Sequence, residues 1–286
     1  MSPNTRGALL MMGSMAAFTL NDTCVKATGG ALPLPQLLTL RGAAASVLLY
    51  LLARRLGALK LRLAPRDWAL VALRSAAEVG AAFLFLTALM HMSLANVTAI
   101  LQVLPLTVTL GAALFFGETI GWRRLSAILA GFLGMLLIVR PGPEGFNLYS
   151  GYALGAVACV TLRDLATRRM SAQVPSMTVT LAASLAVLAV AAPLSLAEPW
   201  VPLDARLGLL ILGSSGFILL GYLFSVMVMR VGEIAVVAPF RYTGLVWALA
   251  LGWLVFGHWP DPLTLAGAGV VVLAGLFTLY RERRVG

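Results

Sequence analysis

Ten apolar segments of about 20 residues follow one another along this chain, and each is long enough to cross a lipid bilayer as an α-helix. Short breaks that contain charged residues, Pro or Gly separate them. Of the 286 residues, 60% are hydrophobic and 11% are charged, against roughly 25% charged in soluble domains. This polar surface is too small to cover a water-soluble globule, and the sequence therefore predicts an all-α integral membrane protein.

The predicted spans use nearly the whole chain and leave no room for a soluble domain. They cover residues 7–27, 34–53, 67–90, 94–116, 121–139, 149–168, 175–197, 206–229, 234–256 and 262–280. The first resembles a signal peptide, but Asn21, Asp22 and Thr23 fit no small-residue cleavage site. We therefore expect ten transmembrane helices, with the first kept as an uncleaved span.

Lys and Arg residues are distributed unequally between the two predicted faces of the membrane. The side shared by both termini holds 14 of the 21, the opposite side holds three, and the remaining four lie inside spans. Because short cytoplasmic loops retain Lys and Arg, we expect both termini in the cytoplasm and the protein in the cell inner (cytoplasmic) membrane. The four intramembrane residues are Arg41, Arg74, Arg163 and Arg241.

The net charge of +10 arises from short basic clusters between the spans. Such clusters indicate contact with membrane lipid headgroups and not with nucleic acid, which would require a continuous basic face.

Cys24 and Cys159 both lie in apolar segments, so neither a disulfide framework nor a four-ligand zinc site is expected. The chain contains no nucleotide-binding loop, no zinc-protease motif and no hydrolase elbow. We therefore expect no cofactor, no metal and no enzymatic activity.

Two short segments recur at a shift of about 140 residues. Residues 114–118 (LFFGE) match 254–258 (LVFGH), and residues 19–22 (TLND) match 161–164 (TLRD). The matches divide the chain into halves of five spans, residues 1–145 and 146–286. An odd number of spans in each half places the second half upside down relative to the first. The sequence therefore predicts two inverted five-helix repeats, an architecture typical of alternating-access transporters.

Three motifs carry a family resemblance: residues 93–105 (SLANVTAILQVLP), Phe-Gly-Glu at 116–118, and residues 131–141 (GFLGMLLIVRP). In this arrangement the chain resembles the EamA-type families of the drug/metabolite transporter superfamily over its whole length. The second half departs from the pattern, because His258 stands where the repeat expects Glu and Pro239 precedes the position that matches Pro105 by six residues. The resemblance implies ten helices and export of small metabolites, and within the superfamily the chain is similar to bacterial amino-acid exporters.

Arg74 and Glu78 lie four residues apart on the third predicted span, hence on one face of one helix. Glu78 lies about 16 Å along the helix axis from Asp67, near the middle of the membrane. A charge at this depth needs a partner or water. Either the two residues form an internal ion pair that stabilises the bundle, or they border a hydrated cavity where Glu78 meets a ligand ammonium group or exchanges a proton.

Arg241 and Tyr242 lie in the ninth predicted span and are candidate substrate contacts. An Arg side chain suits a ligand carboxylate. The alternative is that Arg241 pairs with Glu78 or with backbone carbonyls that Pro239 leaves free.

The fourth span contains Gln102, a candidate substrate contact, and Pro105, which marks either a packing kink or a hinge beside the site. Tyr222 and Trp247 lie deep within other spans. Each is a candidate stacking surface for an aromatic or apolar ligand, and ordinary helix packing explains each equally well.

An acid followed four residues later by a base occurs in both repeats, at Asp22 with Lys26 and at Asp164 with Arg168. We interpret these as structural or gating pairs near the two mouths of a transport pathway. Arg41 lies at a depth from which it could pair with Asp22, and Asn21 is adjacent to that pathway.

The sequence and the family resemblance favour a secondary transporter that exports small metabolites by alternating access. The favoured substrates are amino acids with aromatic or other apolar side chains. Its partners would be a small-molecule substrate and membrane lipids, and a monomer would suffice. The alternatives are a drug or nucleotide-sugar transporter and, less favoured, a membrane-embedded enzyme that acts on a lipid-derived substrate.

Overall fold

The computed structural model describes residues 3–117, 122–139, 147–171, 173–231 and 238–285, which form helices and turns without a strand. The α-helices are α1 (Pro3–Lys26), α2 (Leu34–Arg55), α3 (Pro65–His91), α4 (Leu94–Leu101), α5 (Leu104–Phe116), α6 (Trp122–Val139), α7 (Leu148–Arg169), α8 (Ser176–Leu196), α9 (Ala205–Val231), α10 (Thr243–Phe256) and α11 (Pro262–Val285). A 3-10 helix, Ala238–Tyr242, precedes α10. The predicted all-α fold is confirmed, and the predicted boundary at residues 145 and 146 lies outside the described residues.

Six helical segments within these ranges are long and apolar enough to cross a membrane. They belong to α1, α2, α3, the pair α4 and α5, α8 and α9. Shorter apolar helices occur in α6, α10 and α11, and α7 carries Arg163 and Asp164 within an otherwise apolar run. Counting α4 with α5 and the 3-10 helix with α10, ten helical segments follow the predicted order of spans. The chain is a multi-pass membrane protein.

The fourth and ninth segments are both interrupted. Helix α4 ends at Leu101, Gln102 and Val103 form a turn, and α5 begins with Pro105 in its first turn. Pro105 has no N–H for the carbonyl four residues earlier, which explains why regular α-helical bonding stops here. In the ninth segment Pro239 lies in the 3-10 helix, which adjoins α10 at Thr243. The predicted irregularities at Pro105 and Pro239 are therefore present in the backbone.

The recurring segments at residues 114–118 and 254–258 each contain a glycine that ends a helix. Gly117 terminates α5 with φ +68°, and Gly257 terminates α10 with φ +67°. This left-handed conformation favours glycine because other residues place a Cβ too close to the backbone. Residues separated by 140 positions thus occupy the same local structure.

The helices pack in a regular set of pairs. Helix α1 lies against α9, α3 against α7, α2 against α8, α6 against α11, and α4 against α10. If the ten helical segments are numbered as spans, the first span lies against the eighth and the third lies against the sixth. Moving each span by five positions, which exchanges the two halves, converts the first of these pairs into the second. The pairs two with seven, four with nine and five with ten convert into themselves. The pairing is therefore unchanged when the two halves are exchanged.

Gly275 of α11 lies directly against the buried ring of Tyr242, and a methyl group added there would fall on the tyrosine hydroxyl. We expect Gly275→Ala to destabilise the protein by about 1–3 kcal/mol, the usual cost of overpacking. The melting temperature in detergent, followed by intrinsic fluorescence, measures this effect. Gly269→Ala on the same helix is the control, since nothing lies within 4 Å of its added methyl group. Equal melting temperatures for the two variants would contradict the contact.

Candidate functional site

Glu78 of α3 is held by two arginines within the bundle. Its Oε2 atom accepts a hydrogen bond from Arg163 Nη1 of α7 at 3.2 Å, and Arg74 Nη1 lies 3.9 Å from the same oxygen. The side chains of Glu78 and Arg163 are 17% and 21% exposed. The predicted Arg74–Glu78 proximity is therefore present, but the shorter contact joins two different helices.

Arg163 extends this contact into a chain of charges. Its Nε atom donates to Asp164 Oδ1 at 3.0 Å while its Nη1 atom donates to Glu78. One guanidinium group thus serves two carboxylates, and Arg163 can release either one without losing every partner. Helices α3 and α7 pack along their length, which fixes the position of this bridge.

Arg163 is the residue that the sequence analysis missed as a site residue. A signal was available, because Arg163 is one of four basic residues inside predicted spans and matches Asn21 in the recurring segment. Its partner could not be identified, since Glu78 lies 85 positions away.

Asn21, Asp22 and Arg41 form a second polar group. Asn21 Nδ2 donates to Asp22 Oδ1 at 2.8 Å, and Arg41 Nη1 donates to Asn21 Oδ1 at 3.3 Å. The predicted Arg41–Asp22 interaction is thus indirect, because the amide of Asn21 bridges the two charged groups. Asn21 occupies the position that Arg163 occupies in the other recurring segment.

Tyr222 of α9 lies near both polar groups. It packs edge-on against Phe18 of α1, with ring centroids 5.4 Å apart. It also lies within electrostatic range of Glu78, Arg163 and Arg41. The charged residues therefore lie on helices α1, α2, α3 and α7, with Tyr222 on α9, and the side chains of Glu78, Arg163 and Asp164 are partly exposed. We call the residues Asp22, Arg41, Arg74, Glu78, Arg163 and Asp164 the central charge cluster.

The candidate residues of the fourth and ninth segments lie apart from the ion pairs of Glu78. Gln102 is buried beside Gly244 of α10, and its side chain has no hydrogen-bond partner among the described residues. Arg241 is exposed and forms no ion pair with Glu78. Tyr242 is buried, and Trp247 is 38% exposed. The structure thus places Gln102 at the contact between α4 and α10 and does not bring Arg241 to Glu78.

Lys26 does not form the predicted pair with Asp22. Its Nζ atom donates to the carbonyls of Leu89 and Met92, at 2.8 and 2.6 Å, at the C-terminal end of α3. It also lies 5.8 Å from the centre of the Phe256 ring at the end of α10. A cation is favourable at a helix C-terminus, where backbone carbonyls lack intrahelical partners. Lys26 therefore connects the ends of three helices.

The second predicted acid–base pair also differs from the expectation. Asp164 accepts its hydrogen bond from Arg163, its neighbour in sequence. Arg168 lies exposed on the last turn of α7. Four-residue spacing placed Asp164 and Arg168 on one helix face, but the guanidinium of Arg163 is the group that reaches the carboxylate.

An apolar groove of about 560 Å³ lies between the ninth and tenth segments. Its lining includes Tyr242, Leu249, Leu265, Val272 and Leu276. Exposed Leu273 and Val246 also line it, so the groove opens at the outer surface of the bundle. Its chemistry suits acyl chains and supplies no charged group for a polar ligand.

Among the described residues, no three His, Cys, Asp or Glu side chains are placed to hold a metal ion.

The family model of the EamA-like transporters matches the chain twice, at residues 5–140 and at residues 148–280. The chain belongs to the EamA-like transporter family. A crystal structure of another protein, 18% identical, superimposes with a TM-score of 0.67 and covers 98% of this chain and 99% of its own. That similarity shows a shared fold.

Several relatives of this EamA-family chain have named substrates. The pseudopaline exporter of Pseudomonas aeruginosa (strain UCBPP-PA14) is 29% identical over 97% of both chains. The S-adenosylmethionine uptake transporter of Rickettsia bellii is 32% identical over 63% of this chain and 62% of its own. The riboflavin transporter of Vibrio cholerae is 28% identical over 65% and 62%. The EamA-family protein described here is a small-molecule transporter and not a membrane-embedded enzyme.

Proposed function

We propose that this EamA-family protein is a secondary transporter that exports small zwitterionic metabolites, foremost amino acids with aromatic or other apolar side chains, across the cytoplasmic membrane. The observation that carries the proposal is the central charge cluster. It offers carboxylates and guanidinium groups together, on partly exposed side chains at a depth predicted to be near the middle of the membrane. A zwitterion needs partners of both signs, and ionised residues at this depth are retained where they serve a ligand or a pathway.

Alternating access would arise from two inverted five-helix repeats, residues 1–145 and 146–286. The two family matches and the helix pairing that survives exchange of the halves support this architecture. Helices α1, α9 and α10 would move as one group and α3, α4, α5 and α7 as the other, because these helices pack within their groups. The contact between α4 and α10, beside the irregular segments at Pro105 and Pro239, would serve as the hinge.

The direction of transport is proposed from two observations. The relative that matches over 97% of both chains is an exporter, whereas the relatives named as uptake proteins match over about two thirds of this chain. The distribution of Lys and Arg predicts that both termini lie in the cytoplasm. Substrate would then enter from the cytoplasmic side and leave on the side where Lys26 lies.

The test is a counterflow screen in proteoliposomes made from the purified full-length chain. Labelled neutral amino acids are offered outside vesicles that contain the same unlabelled compound, with and without an imposed pH gradient. We expect accumulation of unmodified label for aromatic and large apolar amino acids. Counterflow that is confined to cationic drugs or nucleotide sugars would contradict the proposal. Flux that ignores the pH gradient would identify a facilitator instead of a proton antiporter.

A further inference from the structure

Arg74 carries a buried guanidinium group that donates no hydrogen bond within the described part of the chain. The residue is 8% exposed, and its Nε and Nη1 atoms have no hydrogen-bond partner among the described residues. Its distance of 3.9 Å to Glu78 is an ion-pair distance and too long for a hydrogen bond. A buried charged donor without a hydrogen bond is costly, so an acceptor from a bound ligand would stabilise this arrangement.

The nearby acids are already engaged elsewhere. Glu78 accepts from Arg163, Asp164 accepts from Arg163, and Asp22 accepts from Asn21. Among the described residues Arg74 is therefore the arginine of the central charge cluster that donates no hydrogen bond, whereas Arg163 donates to two carboxylates and Arg41 donates to Asn21.

We propose that Arg74 binds the carboxylate of the transported zwitterion while the substrate ammonium group takes the place of Arg163 on Glu78. This inference rests on the proposed function and assigns its substrate class. Arg163 keeps Asp164 when it releases Glu78, so the exchange leaves no arginine without a carboxylate. Arg74, and not Arg241, then discriminates between amino acids and derivatives that lack the carboxylate.

The spacing of the two groups selects the kind of zwitterion. Arg74 Nη1 and Glu78 Oε2 lie 3.9 Å apart on one face of α3. An α-amino acid carries its ammonium and carboxylate groups on the same carbon atom, which allows both to meet such a closely spaced pair. Compounds with the two charges at opposite ends of a chain could contact only one member. The inferred substrate class is therefore α-amino acids.

The experiment compares the neutral amino acid with the highest counterflow and its carboxamide, phenylalanine and phenylalaninamide in the expected case. The carboxamide keeps the ammonium group and lacks the carboxylate. The KM of the acid and the inhibition constant of the carboxamide are measured for wild type, Arg74→Gln and Arg74→Lys. For Arg74→Gln we expect the KM of the acid to rise about tenfold to a hundredfold, as for loss of hydrogen bonds to a charged group. The inhibition constant of the carboxamide should change little, so that discrimination is lost.

Arg66→Gln, eight positions earlier on α3 and exposed, is the matched control and should behave as wild type. Arg74→Lys keeps the charge and should raise the KM by less than Arg74→Gln. It also provides the test if Arg74→Gln does not elute as a single species in detergent, since an unchanged KM in Arg74→Lys would overturn the inference. Discrimination retained in Arg74→Gln, or lost instead in Arg241→Gln, would also overturn it. Absence of amino-acid counterflow in wild type would instead refute the proposed function.

Discussion

Replacing Glu78 with Gln should reduce amino-acid counterflow to about 1% of the wild-type rate or less. The substitution removes the carboxylate that is proposed to receive the substrate ammonium group, and an amide cannot replace a charged acceptor at this depth. Loss of one or two hydrogen bonds to charged groups corresponds to roughly a hundredfold effect. Arg74 and Arg163 would remain without the Glu78 carboxylate, so their positive charge would repel the ammonium group of any substrate.

The same variant separates transport from structure. Arg163 keeps Asp164 as a partner in Glu78→Gln, and the side chains are partly exposed. We therefore expect a loss of stability of about 1–3 kcal/mol, below the roughly 3–5 kcal/mol for one partner of a fully buried ion pair. Counterflow and the melting temperature in detergent are measured on the same preparation. Glu198→Gln, an exposed acid in the turn after α8, is the control.

The two outcomes for Glu78→Gln have different meanings. A hundredfold loss of counterflow with a modest fall in melting temperature is the result expected of a substrate-binding carboxylate. Normal counterflow with a lower melting temperature would mean that Glu78 only locks α3 to α7. That second result would remove the main support for a zwitterion site in the central charge cluster.

The membrane architecture was predictable because it is encoded locally. Hydrophobic runs of the length of a bilayer identify the spans, and Pro105 has no N–H to continue its helix, whatever surrounds it. Four-residue spacing likewise placed Arg74 beside Glu78, since both side chains project from one face of α3. The left-handed glycines Gly117 and Gly257 end their helices at matching positions of the recurring segments.

The contacts between helices could not be predicted from these local sequence patterns. Arg163 reaches Glu78, and Lys26 reaches the carbonyls of α3, because helix rotation and packing bring these groups together across more than 60 positions of sequence. Spacing within one helix favoured Asp22 as the partner of Lys26. It could not account for unbonded carbonyls at the end of a neighbouring helix, which are strong acceptors for an ammonium group.

Lys26 is the second residue at which we expect a large effect, and its contacts indicate a gate. It belongs to the group formed by α1, α9 and α10, whereas Leu89 lies in α3 of the other group and Met92 directly follows α3. Direct packing between α1 and α3 is otherwise limited. The two hydrogen bonds of Lys26 therefore hold the groups together at the end of the bundle that is predicted to be extracellular. In this structure that end is tied, and opening it for release requires both bonds to break.

Lys26→Met should shift the conformational equilibrium towards an outward-open state by about tenfold or more, as expected for loss of charge-assisted hydrogen bonds made only in the closed state. Spin labels at Ala31→Cys and Leu148→Cys, in a Cys24→Ser, Cys159→Ser background, report the separation of the two groups at this end. We expect the variant to gain a population with a longer distance between the labels and to turn over more slowly, because closure becomes unfavourable. Lys60→Met removes an exposed cation from the opposite side and should leave the distances unchanged. A Lys26→Met distribution identical to that of wild type would mean that Lys26 only caps α3, and the gate would have to lie elsewhere.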